Sequence, residues 1–179
     1  MPLVPGRTVR EGLQSTQRRI NLHRLVGGSV ASKIRSGLLL RIESLSLTSV
    51  SADVQVVIAN SAVGHAAPGG LPSKSLVLAV GVETASGKLM HRRERVYRRE
   101  LKDAEGRALV TVPDLFLKAA SVGEDTRLRQ KEARLERFTV PIAEDWKAIV
   151  VRLEYHDASD PKVGTKTTLV TEERRERGQ

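Results

Sequence analysis

Four histidines, His23, His65, His91 and His156, are the side chains of this sequence best suited to chemistry near neutral pH. Their spacing excludes most of that chemistry. None is placed like a helix-borne metal pair, no HExxH motif occurs, and no cysteine is present. Thiolate metal centres, disulfides and covalent haem thioethers are therefore excluded together. A G-x-S-x-G nucleophile elbow is also missing, and "SAVGHAAPGG" has neither the lysine nor the following helix that a phosphate cradle needs. With no nucleophile and base in a recognisable pattern, the expectation is a protein that is not an enzyme.

Two histidines stand apart. His65 lies in "NSAVGHAAPGGLP", where an expected strand ends at Asn60 and runs into a loop of Gly and Pro that includes Pro68. An imidazole on such a loop can reach a ligand outside the domain, or it can hydrogen-bond a loop carbonyl and fix the turn. His23 lies in "NLHRLVGGS", just before the Gly27-Gly28 pair. Neutral imidazole is a good axial ligand for haem iron, and an exposed arm can lay it against a neighbour's cofactor. The plain alternative for His23 is a surface histidine with no partner.

Charge is the other conspicuous feature. The formal net charge is +9 with a pI near 10.3. "KLMHRRERVYRRE" gathers Lys88, Arg92, Arg93, Arg95, Arg98 and Arg99 around the single acid Glu94 in its first twelve residues. Such a run is a solvated face, a surface for an acidic protein partner, or a phosphate-backbone contact. Aromatic residues amount to 3% of the chain, and only Tyr97 is near the run. That scarcity argues against base stacking and leaves nucleic-acid binding as the weakest of the three.

These residues must be positioned by strands. "ADVQVVIAN" places Val54, Val56 and Ile58 on one face, and "KAIVVRLEY" places Ile149, Val151, Leu153 and Tyr155 on one face. In "SLVLAVGVE", Leu76, Leu78, Val80 and Val82 share one side and Val77, Ala79 and Gly81 the other, which predicts a strand covered on both faces. Further strands are expected in "LLLRIESLSLT", "ERVYRREL", "ALVTVPDL", "RFTVPI" and "TTLVT". "EDTRLRQKEARLERF" reads as an exposed helix or an extended polar connection. Eight short strands with Gly and Pro punctuation predict an all-β fold, an antiparallel β-sandwich of immunoglobulin or fibronectin type with Greek-key links. The expected organisation is an irregular N-terminal arm at 1–28 with one short helix at most, a sandwich at 29–171 and a frayed charged tail at 172–179.

The first twenty residues hold no apolar run long enough for a signal-peptide core, and no segment has the length of a membrane span. As written, the chain is expected in the cytoplasm, or in the periplasm or outside the cell if it is a piece of a longer exported protein.

Taken in order, "H-x-x-x-GG", "N-x-x-x-GH-x-x-P-x-G-x-P", "L-x-V-x-x-x-x-x-x-G", "D-T-R-L-x-x-x-E", "F-x-V-P" and "V-R-L-x-Y" resemble the carboxy-terminal β-sandwich region of multihaem c-type cytochromes, over about residues 13–157. In that family a haem motif of the form C-Q-S-C-H-M often precedes the HxxxGG stretch. The corresponding residues here look like Leu13, Gln14, Ser15, Thr16, Gln17 and Arg18, so every haem-holding residue is replaced. Other departures are Leu25 in place of an aromatic, Gln130 near a usual proline, and Gly69 near a usual threonine. Gly69 is expected to loosen the loop after His65.

What the resemblance implies is a haem-free, non-enzymatic interaction module that docks on a cytochrome or another acidic redox partner. His23, Gly27, Gly28, His65 and Pro68 would form the contact face, with Arg92, Arg93, Arg95, Arg98 and Arg99 steering it. The alternative is a noncovalent haem protein with His23 and His65 as axial ligands, to its own haem or to a partner's. A basic nucleic-acid-binding domain is the remaining reading.

Overall fold

The computed structural model describes residues 3–6, 18–21, 31–159, 162 and 164–178. Eleven strands and two short helices follow one another: β1 (Leu3–Gly6), β2 (Arg18–Asn21), α1 (Ala31–Arg35), β3 (Leu38–Leu47), β4 (Ser51–Asn60), β5 (Lys74–Thr84), β6 (Leu89–Tyr97), β7 (Arg99–Lys102), α2 (Val112–Leu117), β8 (Ser121–Asp125), β9 (Ala133–Pro141), β10 (Trp146–Asp157) and β11 (Lys166–Glu176). Every ladder is antiparallel.

Alternation explains why these strands make two layers. The sheet β3-β4-β9 turns Leu38, Leu40, Ile42, Ala52, Val54, Val56, Ile58, Phe138 and Val140 toward the sheet β11-β10-β5-β6. The latter answers with Leu76, Leu78, Val80, Val82, Ile149, Val151, Leu153 and Tyr155. Successive side chains point to opposite faces, so each strand contributes every second residue to the core. The chain changes sheet between β4 and β5, between β6 and β9, and between β9 and β10. That is the expected sandwich with Greek-key links.

Strand β5 is covered on both faces, as its sequence implied. Its outer residues Val77 and Ala79 are 3% and 2% exposed. They lie beside Glu154 and Arg152 of β10 and Val96 and Glu94 of β6. Ion pairs Arg92–Glu154, Arg152–Glu172 and Arg174–Glu83 span this outer face, and arginine stems can roof apolar ground while their heads stay wet.

Two expectations are corrected and one open alternative is decided. "ALVTVPDL" is not a strand: Thr111 accepts a hydrogen bond from the Asp114 amide, Pro113 sits in the first turn, and α2 follows. Of the two readings of "EDTRLRQKEARLERF", the extended one holds: β8 ends at Asp125, Lys131 takes φ 60° in a turn, and β9 begins at Ala133. The segment expected to fray from 172 is strand through Glu176, because it continues the ladder with β10 and its Glu172 and Arg174 meet Arg152 of β10 and Glu83 of β5. In the arm, β1 pairs with β2, and Leu13–Gln17, His23 and Gly27–Gly28 lie outside the described residues.

Candidate functional site

The loop carrying His65 is held by Asn60, the last residue of β4, whose side chain is fully buried. Asparagine suits this position because one amide group both donates to and accepts from nearby backbone. Its Nδ2 donates to the carbonyls of His65 (2.8 Å) and Leu128 (3.2 Å). Its Oδ1 accepts the Val63 amide (3.0 Å). Across the loop, Ala67 and Leu128 exchange two backbone bonds of 2.8 and 2.9 Å. The Asn60 amide donates to the Glu132 carbonyl (2.9 Å). The pieces "N-x-x-x-GH-x-x-P" and "D-T-R-L-x-x-x-E", distant in sequence, are thus one structure.

The imidazole of His65 is exposed, and its Nδ1 lies 2.9 Å from the Ala66 carbonyl. A carbonyl only accepts, so Nδ1 carries the proton and Nε2 of the neutral ring presents a lone pair. A histidine that ligates a metal through Nε2 is commonly oriented in this way. Gly69 does the opposite of loosening the site. A Cβ there would stand 2.3 Å from Cε1 and 2.8 Å from Nδ1 of His65, so the missing side chain is the space the ring occupies.

Beneath this loop the sandwich opens into a cavity of about 520 Å³, within the usual range for small-molecule sites. Its walls are Leu38 and Leu76 from facing sheets, Ile34 of α1, Val63, Ala67 and Pro68 of the loop, and Tyr155 of β10. Lys33, Lys74 and His65 stand among the polar lining, and no carboxylate does. Tyr155 is 3% exposed as a residue, but its hydroxyl oxygen, which makes no hydrogen bond to the described residues, is not a buried atom. Burial and the nearby Asp157 carboxylate push its ionisation up to about 12, so it stays a proton donor at neutral pH.

The basic run is not one face. Strand alternation sends Arg92 and Glu94 outward, where Arg92 makes a bidentate bond to Glu154 (3.0 and 2.9 Å). Arg95 lies on the opposite side and pairs with Glu136 of β9 at 3.5 Å. Arg98 pairs with Glu100 at 3.2 Å, and Arg99 is half-buried with its Nε lacking a partner. Within the run, Lys88 and Arg93 are exposed with no carboxylate within 4 Å among the described residues. Arg98 and Arg99 do approach the His65 end, because Tyr97 pairs with Leu76 and the Arg98 amide donates to Thr126 Oγ1 at 2.9 Å. His91 takes φ 56° beside the β5/β6 register shift, and His156 is 3.0 Å from Glu154. Neither joins His65, and no group of three or more His, Cys, Asp or Glu among the described residues could hold a metal ion.

Sequence reasoning missed Asn60, Leu128 and Tyr155 as parts of the site. Asn60 was legible: an asparagine closing an apolar strand before a Gly/Pro loop is a candidate for side-chain bonds to backbone. Leu128 and Tyr155 depend on pairings distant in sequence, with Ala67 and Leu76, and carry no local signal.

No protein-family model and no curated protein matches this chain. Among solved structures, the penta-haem cytochrome c552 of Thermochromatium tepidum superposes with a TM-score of 0.68 at 20% identity, over 86% of this chain and 43% of the cytochrome. β-glucosidase 3B of Thermotoga neapolitana gives a TM-score of 0.30 at 14% identity, over 78% of this chain and 16% of the glucosidase, too low to carry an argument. No helix among the described residues is long and apolar enough to cross a membrane. The chain therefore has the fold of a β-rich part of a multihaem cytochrome, spans less than half of that protein's length, and has no thiol with which to hold haem covalently.

Proposed function

We propose that this protein is a haem-free interaction module that docks, through the His65 end of its sandwich, on a cytochrome or other redox partner with an acidic surface. The observation that carries the reading is the His65 loop itself. A histidine clamped by Asn60, resting on Gly69 and offering Nε2 at the mouth of a cavity is a prepared contact. The likeness of fold to a penta-haem cytochrome supports the choice of partner. Net charge of +9 supplies steering toward an acidic surface, an effect that salt weakens.

The test is association with a purified multihaem c-type cytochrome at low and moderate ionic strength, for the natural protein, His65→Ala and His91→Ala. Saturable binding that weakens with salt and with His65→Ala, but not with His91→Ala, supports the reading. Absence of saturable binding at low salt, or equal behaviour of the two variants, overturns it.

The second reading is noncovalent haem binding, favoured by the free Nε2 of His65. Haem would supply redox chemistry, and His65 fits one axial position; His23, the proposed second ligand, lies outside the described residues. A visible-absorption titration with haem decides it. A low-spin spectrum saturating at one equivalent and lost in His65→Ala supports ligation, whereas no specific spectrum removes it.

A further inference from the structure

The cavity under the His65 loop has chemistry that docking does not use. Its floor is aliphatic and aromatic, from Leu38, Leu76, Ile34 and Tyr155. Among the described residues that line it, the only formal charges are the ammonium groups of Lys33 and Lys74. Lys33 has no ion pair among the described residues, and Lys74 has only Asp157, at the outer limit of 4.0 Å. Tyr155 lines the cavity, and its hydroxyl makes no hydrogen bond to the described residues and is not a buried atom, so it is free to donate to a ligand there. Lys74 and Tyr155 are diagonal neighbours on one face, because Leu76 pairs with Tyr155 and Lys74 with Asp157 two rows along the same ladder. Two cations and an accessible hydroxyl donor in the lining of one apolar hollow call for a single anionic, hydrogen-bond-accepting group on an apolar body.

We propose that this cavity binds an amphipathic monocarboxylate, its carboxylate held by Lys74, Lys33 and the Tyr155 hydroxyl and its apolar body laid on Leu38, Leu76 and Ile34. The site goes beyond the docking reading and does not depend on the His65 imidazole or on any partner.

Calorimetric titration with decanoate, 1-decanol and decylamine tests it on the natural protein, Tyr155→Phe and the pair Lys33→Met/Lys74→Met. Decanoate is expected to bind at one equivalent, at least about tenfold tighter than decanol, with decylamine not binding. Tyr155→Phe, which removes one oxygen and keeps the ring, should weaken decanoate about tenfold and leave decanol unchanged, the signature of a lost hydrogen bond to a charged group. The lysine pair variant should erase the preference for decanoate over decanol. Equal affinity for decanoate and decanol in the natural protein, or unchanged decanoate binding in Tyr155→Phe, overturns the proposal. If Tyr155→Phe does not fold, the decanoate-to-decanol ratio and the lysine variant decide alone. Failure here with intact cytochrome association leaves docking standing, and the reverse result separates the two in the other direction.

Discussion

Replacing Asn60 by alanine should damage both the domain and its site, by an amount that can be worked out. The side chain makes three hydrogen bonds, to the carbonyls of His65 and Leu128 and from the Val63 amide. At about 0.5–1.5 kcal/mol net for each, Asn60→Ala loses roughly 1.5–4.5 kcal/mol. The Leu128 carbonyl keeps the Ala67 amide, so its loss is at the low end. The His65 carbonyl and the Val63 amide are left without these partners, which places the sum near about 3 kcal/mol. For a chain of this length that is a fall in Tm of about 6–12 °C. Asn60→Asp should be no better, since a carboxylate keeps an acceptor for Val63 but faces two carbonyl oxygens. Thermal melts give the global value, and amide exchange at Ala67 and Leu128 should accelerate before the rest of the sheet. A Tm within about 2 °C of the natural protein, with exchange at those two amides unchanged, would refute the clamp.

Three further outcomes are expected. Gly69→Ala should leave stability within about 1 kcal/mol, since φ there is not left-handed, but it must displace the His65 ring; the NOE contact between the ring and residue 69 should vanish, and any His65-dependent binding should fall as in His65→Ala. Hydrogen bonding from Arg92, outweighing burial, holds the Glu154 carboxyl below its ordinary 4.5. Its contribution is therefore present above that value and lost as pH falls through the lower folded value, so urea midpoints should drop as the pH is taken below 4.5, less steeply in Glu154→Gln. Ending the chain after Thr171 should lower Tm by at least about 4 °C, because it removes strand pairing from Glu172 to Glu176 and the Arg174 bond to Glu83; a truncated protein that melts like the full chain would return those residues to the status of a tail.

What the sequence made legible was whatever repeats locally. The alternation of Val54, Val56 and Ile58, and of Ile149, Val151 and Leu153, placed β4 and β10, and the doubly apolar run at Leu76–Val82 announced a strand buried on both sides. Helix α2 was hidden behind β-branched residues, although Thr111 followed by Pro113 and Asp114 is a helix start. The charged end misled because alternating charge reads as solvated until the opposite charges across the ladder are known. Arg92 to Arg99 looked like one basic surface because charge along a sequence ignores the pleat, which sends neighbours to opposite faces and into pairs with Glu154 and Glu136. His65 was found from its loop, whereas its clamp and the cavity beneath it required residues from both sheets.

The bond from Asn60 to Leu128 joins residues 68 apart, which sets an order of assembly. A nascent or truncated chain that stops before Leu128 can form the hairpin of β3 and β4 but has nothing with which to close the loop around His65. Non-local contacts of this span form late, after the entropy of a long intervening segment has been overcome. The loop around His65 is thereby closed only when the residues leading into β9 have reached β4, and the cavity beneath it is complete only when the second sheet has brought Leu76 and Tyr155.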